Sequence, residues 1–230
     1  MNALQSVMKM HARTTYWFLS PLVIIVASFI MSLLISLLFH GNGAVFYGGI
    51  NYVYVFFFVF GIVSLHDTFS FALGFSVRRT DYFLGTLLLV VLLSVATAIL
   101  TVLLAFVQSH VINGGDGRLP LFSLSSVNNS SPGEQLWIYF VTQIHMYFLG
   151  FAICSIYQRF GKAGIWAFFV FAFLLVSISI FLSTSLHWGI ASFSWLSPPI
   201  TFEFALWLAL LSVCYMLVSY VLLRKATMCP

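Results

Sequence analysis

The sequence predicts an all-α, polytopic membrane protein, with six transmembrane helices in a single domain, 1–230, and both the N- and C-termini cytoplasmic. Three observations predict it. Of the 230 residues, 62% are hydrophobic and only 6% charged, with a mean hydropathy of +1.08; a soluble domain carries about 25% charged residues. The apolar residues gather in six runs, charge-free but for Glu203 at the start of the last, each near the roughly 20 residues that cross a hydrocarbon core of about 30 Å. The nine Lys and Arg residues, finally, fall almost entirely on one side of the resulting topology. This composition excludes a soluble globular domain, a disordered chain and a nucleic-acid binder. Cys154, Cys214 and Cys229 are too few and too scattered for a disulfide framework or a zinc site.

The first element is residues 2–15. On a helical wheel Leu4, Val7, Met8, His11 and Thr15 share one face, and Asn2, Gln5, Lys9 and Arg13 share the other. That pattern is an interfacial helix lying on the membrane with its bases toward anionic headgroups; a basic tail that only fixes topology is the alternative. The spans follow at about 16–39, 46–65, 82–107, 135–157, 163–184 and 203–223. The first is too long for a signal-peptide core and lacks a small-x-small cleavage site, so it reads as a retained helix. Continuous apolar runs, without alternation, mean helices and not a barrel. With the N-terminus inside, Lys9, Arg13, Arg78, Arg79, Arg159, Lys162, Arg224 and Lys225 all lie on the cytoplasmic side, and Arg118 lies outside.

Two external segments remain. Residues 108–134 form a Gly-, Ser- and Asn-rich loop carrying Asp116 and Glu134. Residues 185–202 are aromatic and uncharged and contain Pro198 and Pro199, a pattern that predicts a re-entrant piece with Trp188 and Trp195 near the headgroups. Glu203 then caps the sixth span or sits beneath that piece, capping being preferred.

The cytoplasmic segment 66–81 is too apolar for a solvated loop. If helical, it has two greasy faces, Phe69, Ala72 and Leu73 on one and Phe71, Phe75 and Arg78 nearly opposite. A surface helix needs only one such face. The second predicts a docking helix for a cytoplasmic partner, against the plainer reading of a buried re-entrant turn.

The stretch Phe-Ala-Leu-Gly-Phe-Ser-Val-Arg-Arg-Thr-Asp-Tyr-Phe-Leu-Gly, residues 71–85, resembles the entry to the third span of small bacterial ABC-2-type transporter permeases. The likeness covers the whole chain as architecture and about 15 residues as sequence. It implies that 66–81 is a coupling helix seated in an ATP-binding cassette subunit, with Phe71, Phe75, Arg78 and Arg79 at or near that contact. Aromatic anchors rimmed by Arg suit such an interface; Asp81 is better placed to cap the third span. The resemblance further implies a second permease copy as partner, ATP and Mg on the cassette subunit, none in this chain, and a bacterial plasma membrane as the location, among membrane lipids.

Ionisable residues inside the membrane are functional candidates by default. Only His145 lies near the middle of a span, where it faces cargo, relays a proton or hydrogen-bonds a neighbouring helix. Tyr47, Asn51, Tyr54 and Phe58 recur at spacings of four, three and four and share one face of the second span. In the resembling family that span lines the central path, which makes these residues and His145 candidates for contact with a hydrophobic or amphipathic cargo. Helix packing or lipid contact is the alternative for each. Ser177, Ser179, Ser183, Thr184 and Ser185 fit close packing of the fifth span as well as a path lining.

Nothing resembles a phosphate-binding glycine loop, paired catalytic carboxylates or a histidine pair on one helix face. Gly74-Phe75-Ser76-Val77-Arg78 lacks the second glycine of a nucleophile elbow. The chain is therefore expected to be no enzyme, and any ATP hydrolysis belongs to a separate subunit. The expectation is the permease subunit of an ATP-driven exporter of a lipid, drug or antimicrobial peptide. A secondary carrier, channel or non-transport membrane scaffold is the alternative, although the two halves show no internal match of the kind carriers have.

Overall fold

The computed structural model describes residues 15–38, 49–74, 78–108, 131–185 and 202–224. The structure is all-helical there, with no strand among the described residues: α1 (Thr15–Leu38), α2 (Gly49–Gly74), α3 (Arg79–Val107), α4 (Pro132–Ser185) and α5 (Phe202–Arg224). The interfacial helix expected over 2–15 and the external segments 108–134 and 185–202 lie outside the described residues, save at their edges.

Among the described residues, four stretches are long and apolar enough to cross a membrane, Ile50–Phe69, Arg79–Val107, Pro132–Ile178 and Phe202–Arg224, and α1 is apolar across Ser20–Leu34. These helices are compatible with a multi-pass membrane protein. The third stretch has 47 residues, and a straight helix of that length would measure about 70 Å, more than twice a hydrocarbon core. It is not straight. Gly161 adopts φ 65° and ψ −156°, a left-handed conformation open to glycine, and breaks α4 into two legs. The bend is sharp enough that a Cβ at Gly164 would collide with the Cβ of Phe160.

The helix ends follow from local chemistry. α2 continues beyond its apolar stretch to Gly74, so 66–74 is one helix with the preceding turn. Phe69 is buried there, and the Thr68 hydroxyl donates to the Ser64 carbonyl one turn back. α3 starts after an extended Arg78, with Asp81 in its first turn, where a carboxylate complements the helix dipole. α4 starts with a reciprocal capping box. The Ser131 N–H donates to Glu134 Oε2 at 3.3 Å and the Glu134 N–H to Ser131 Oγ at 3.4 Å, with Pro132 at the first helical position.

The first leg of α4 is the hub, packed on α2, α3 and α5, while α1 lies against α2 and α3. Against α2 the approach is backbone to backbone. A Cβ at Gly61 would collide with the Tyr147 carbonyl oxygen, and one at Gly150 with the Phe58 carbonyl oxygen. Small residues that let helices touch in this way are how membrane bundles gain packing without a hydrophobic driving force. The second leg of α4 is different: Trp166 (72% exposed), Phe173 and Phe181 stand clear of the bundle.

Candidate functional site

Arg78, Arg79, Arg159, Lys162 and Arg224 gather at one end of the bundle, because α3 runs against α2, α4 and α5: Phe83 of α3 meets Phe151 of α4 at 6.1 Å and Tyr220 of α5 at 5.3 Å. At this basic end the interior is a ladder of rings. Phe69 meets Tyr82 across the α2–α3 junction at 5.7 Å, and Phe60, Tyr147 and Phe151 continue it at 5.6 and 5.9 Å. The hydroxyls of Ser64, Thr68, Tyr82 and Tyr147 are joined to one another, whereas Ser219 Oγ of α5, also fully buried, has no partner among the described residues. Thr68 spends its one hydrogen on Ser64, so the Tyr82 hydroxyl donates to Thr68 Oγ1 at 2.6 Å, and the Tyr147 hydroxyl donates to Ser64 Oγ at 3.1 Å.

The two arginines that the sequence pairs are separated by role. Arg78 is exposed, and its carbonyl accepts the Tyr82 N–H at 3.0 Å. Arg79 is half-buried, and its Nη1 donates to the carbonyl oxygens of Leu223 at 3.1 Å and Arg224 at 3.0 Å. A cation on the last carbonyls of a helix satisfies otherwise orphaned acceptors and suits the dipole. Phe75 and the side chain of Phe71 lie outside the described residues. Four residues, 75–78, separate α2 from α3.

The stripe Tyr47, Asn51, Tyr54 and Phe58 is not one surface. Tyr47 lies outside the described residues, Asn51 is exposed and Phe58 half-buried. Tyr54 is buried with Ile50, Ala98 and Tyr139, facing Thr142. His145 is 8% exposed and lies 3.4 Å from Ser212 Oγ through Nδ1, with its ring 5.5 Å from Tyr215. Ser212 donates to the Leu208 carbonyl at 2.7 Å, so the histidine contact requires Nδ1 to carry the hydrogen. His145 thus ties α4 to α5.

Sequence reasoning passed over a polar group that the fold assembles in the half remote from the bases: Ser94, Thr97 and Thr101 of α3 against Thr142 and Gln143 of α4, all buried. Thr97 Oγ1 lies 2.8 Å from Gln143 Oε1. The signal was available in the spacing of three and four along α3 and in one amide near the middle of an apolar run. No group of three or more metal-ligating side chains occurs among the described residues. Between α3, α4 and α5 a cavity of about 250 Å³ is lined by Leu87, Val91, Phe140, Ile144 and Met216 among others, almost entirely apolar.

No family model matches the chain, and neither a curated protein nor a solved structure matches it.

Proposed function

We propose that the chain is the transmembrane permease subunit of an ATP-driven exporter in a bacterial plasma membrane. In this reading it has six spans, with α4 crossing twice and the basic end in the cytoplasm. It pairs with a second permease copy and with a separate ATP-binding cassette subunit that carries ATP and Mg, and it moves a hydrophobic or amphipathic substrate. The observation that carries the reading is the bracing of the α2–α3 junction. Thr68 and Tyr82 join the two helices, and Arg79 holds the end of α5. A push delivered at 71–78 therefore reaches α2, α3 and α5 together, which is what a coupling segment needs. The exposed second leg of α4 supplies apolar surface for lipid and for a second copy.

Mild-detergent purification of the tagged chain from its native host tests this. A soluble subunit bearing a phosphate-binding loop should co-purify in stoichiometric amount and bring ATPase activity with it. Phe71→Asp with Arg78→Glu should release that subunit while membrane levels stay normal. Absence of such a partner, or its undiminished retention by the double variant, overturns the reading.

A further inference from the structure

The buried stripe of α3 changes character halfway along. Nearer the basic end it presents Phe83, Thr86 and Val90; beyond them come Ser94, Thr97 and Thr101 on the same face, with Gln108 two turns further on. The opposing face of α4 changes in the same sense, from Gly150, Phe151 and Cys154 to Tyr139, Thr142 and Gln143. Tyr54 of α2 faces Tyr139 and Thr142. Three helices therefore enclose a polar seam in the half remote from the bases.

In that seam Gln143 and Ser94, both fully buried, each carry an atom with no partner among the described residues. Thr97 has one hydroxyl hydrogen and three acceptors in reach: the carbonyls of Leu93 at 2.8 Å and Ser94 at 3.1 Å, and Gln143 Oε1 at 2.8 Å. If Thr97 donates to Gln143, the Nε2 of that amide has no partner among the described residues. If Thr97 donates to Leu93 instead, the amide turns over, its N–H reaches Thr97 Oγ1, and its carbonyl oxygen becomes the orphan. In either orientation one end of Gln143, at 0% exposure, is unpaired. Ser94 Oγ, also at 0%, has no partner among the described residues either. Orphaned polar groups inside a membrane bundle are costly enough that native structures serve them with protein or with water.

We propose that Gln143 and Ser94 hold ordered water at the floor of a hydrated seam reached from the end remote from the basic residues. Water fits because it is neutral and both gives and takes hydrogen bonds, so it serves the amide in either orientation and the serine hydroxyl as well. The hydroxyl of Thr101, one turn above Thr97, continues the polar wall toward Gln108 at the end of α3. The inference concerns what occupies this seam and does not rest on the transport reading.

Solid-state NMR of the full chain in phosphatidylcholine–phosphatidylglycerol vesicles, with ¹⁵N in glutamine side chains, reads the seam directly. The Gln143 amide signal, identified by its loss in Gln143→Met, should gain intensity by transfer from water protons. Build-up only from lipid and protein protons overturns the proposal. A second measurement uses Ser94→Cys and Val90→Cys, each in a chain whose three native cysteines are replaced by Ala, and an anionic methanethiosulfonate reagent. One pK unit of desolvation alone lowers the reactive thiolate about tenfold. Position 94 should therefore react at least about tenfold faster than position 90, and equal rates overturn the hydrated seam.

Discussion

The half of the bundle at the basic end and the half remote from it share α2, α3 and α4, yet they serve their buried polar groups differently. At the basic end each hydroxyl in the Tyr82–Thr68–Ser64–Tyr147 group has a partner, and rings fill the space between helices. In the remote half Gln143 and Ser94 are buried, each with one atom that no described residue pairs and that falls to water in the proposed seam. A network closed by direct side-chain bonds between helices rigidifies a core, whereas groups served through water tie the helices together less directly. The same three helices are thus clamped at one end and held less firmly at the other, with the glycine contacts Gly61 and Gly150 on the clamped side of the boundary.

The largest effect that can break this contrast is at the clamp. Gly150→Val puts a branched side chain against the Phe58 carbonyl oxygen, a backbone atom that cannot rotate away. Ordinary overpacking costs about 1–3 kcal/mol, and here the whole α2–α4 approach has to widen. The variant should lose its monodisperse peak in fluorescence-detected size exclusion. Gly133→Val, on an exposed glycine with nothing within 4 Å, should keep it. Equal behaviour of the two would mean that the backbones are not in contact.

Some of this was legible in the chain and some was not. Apolar runs announce themselves by composition, so the long helices α2, α3 and α5 are visible in hydropathy alone. Ser131 and Glu134 carry a capping-box spacing, yet a loop rich in Gly, Ser and Asn masks where the helix begins. Ser94, Thr97 and Gln143 escape notice because a lone hydroxyl or amide in an apolar run is common; only the register of α3 against α4 makes them a group. Tyr54 and Asn51 share a face by spacing, but the packing buries the first and exposes the second, since α4 covers only part of that face. Arg78 and Arg79 look equivalent as a pair of bases. The direction of the first turn of α3 sends only Arg79 to the carbonyls of α5.

A smaller effect sharpens the contrast from the satisfied side. Tyr147→Phe removes the hydroxyl that donates to Ser64 Oγ while keeping the ring in its ladder. A neutral hydrogen bond contributes about 1 kcal/mol, and helix-to-helix bonds in membranes average about 0.6. The melting temperature in detergent should fall by about 2–3 °C. No fall, or a rise, would mean that this end is clamped by ring packing alone.

The smallest effect lies at the rim of the remote half, where α4 begins. Ser131→Ala removes the side-chain acceptor of the Glu134 N–H and leaves Glu134 Oε2 still able to accept from the backbone N–H of residue 131. Loss of an N-cap side chain costs about 0.5–2 kcal/mol. Contacts of 3.3 and 3.4 Å on exposed groups belong at the low end of that range. Because α4 is held further down by α2, α3 and α5, the loss should stay local: amide exchange at residues 133–135 should quicken about two- to fivefold, the lower part of that cost expressed as an opening constant. Exchange around Tyr147 should not change. If Tyr147 responds as well, the two halves of α4 open as one unit, and the division between a clamped end and a weaker one fails.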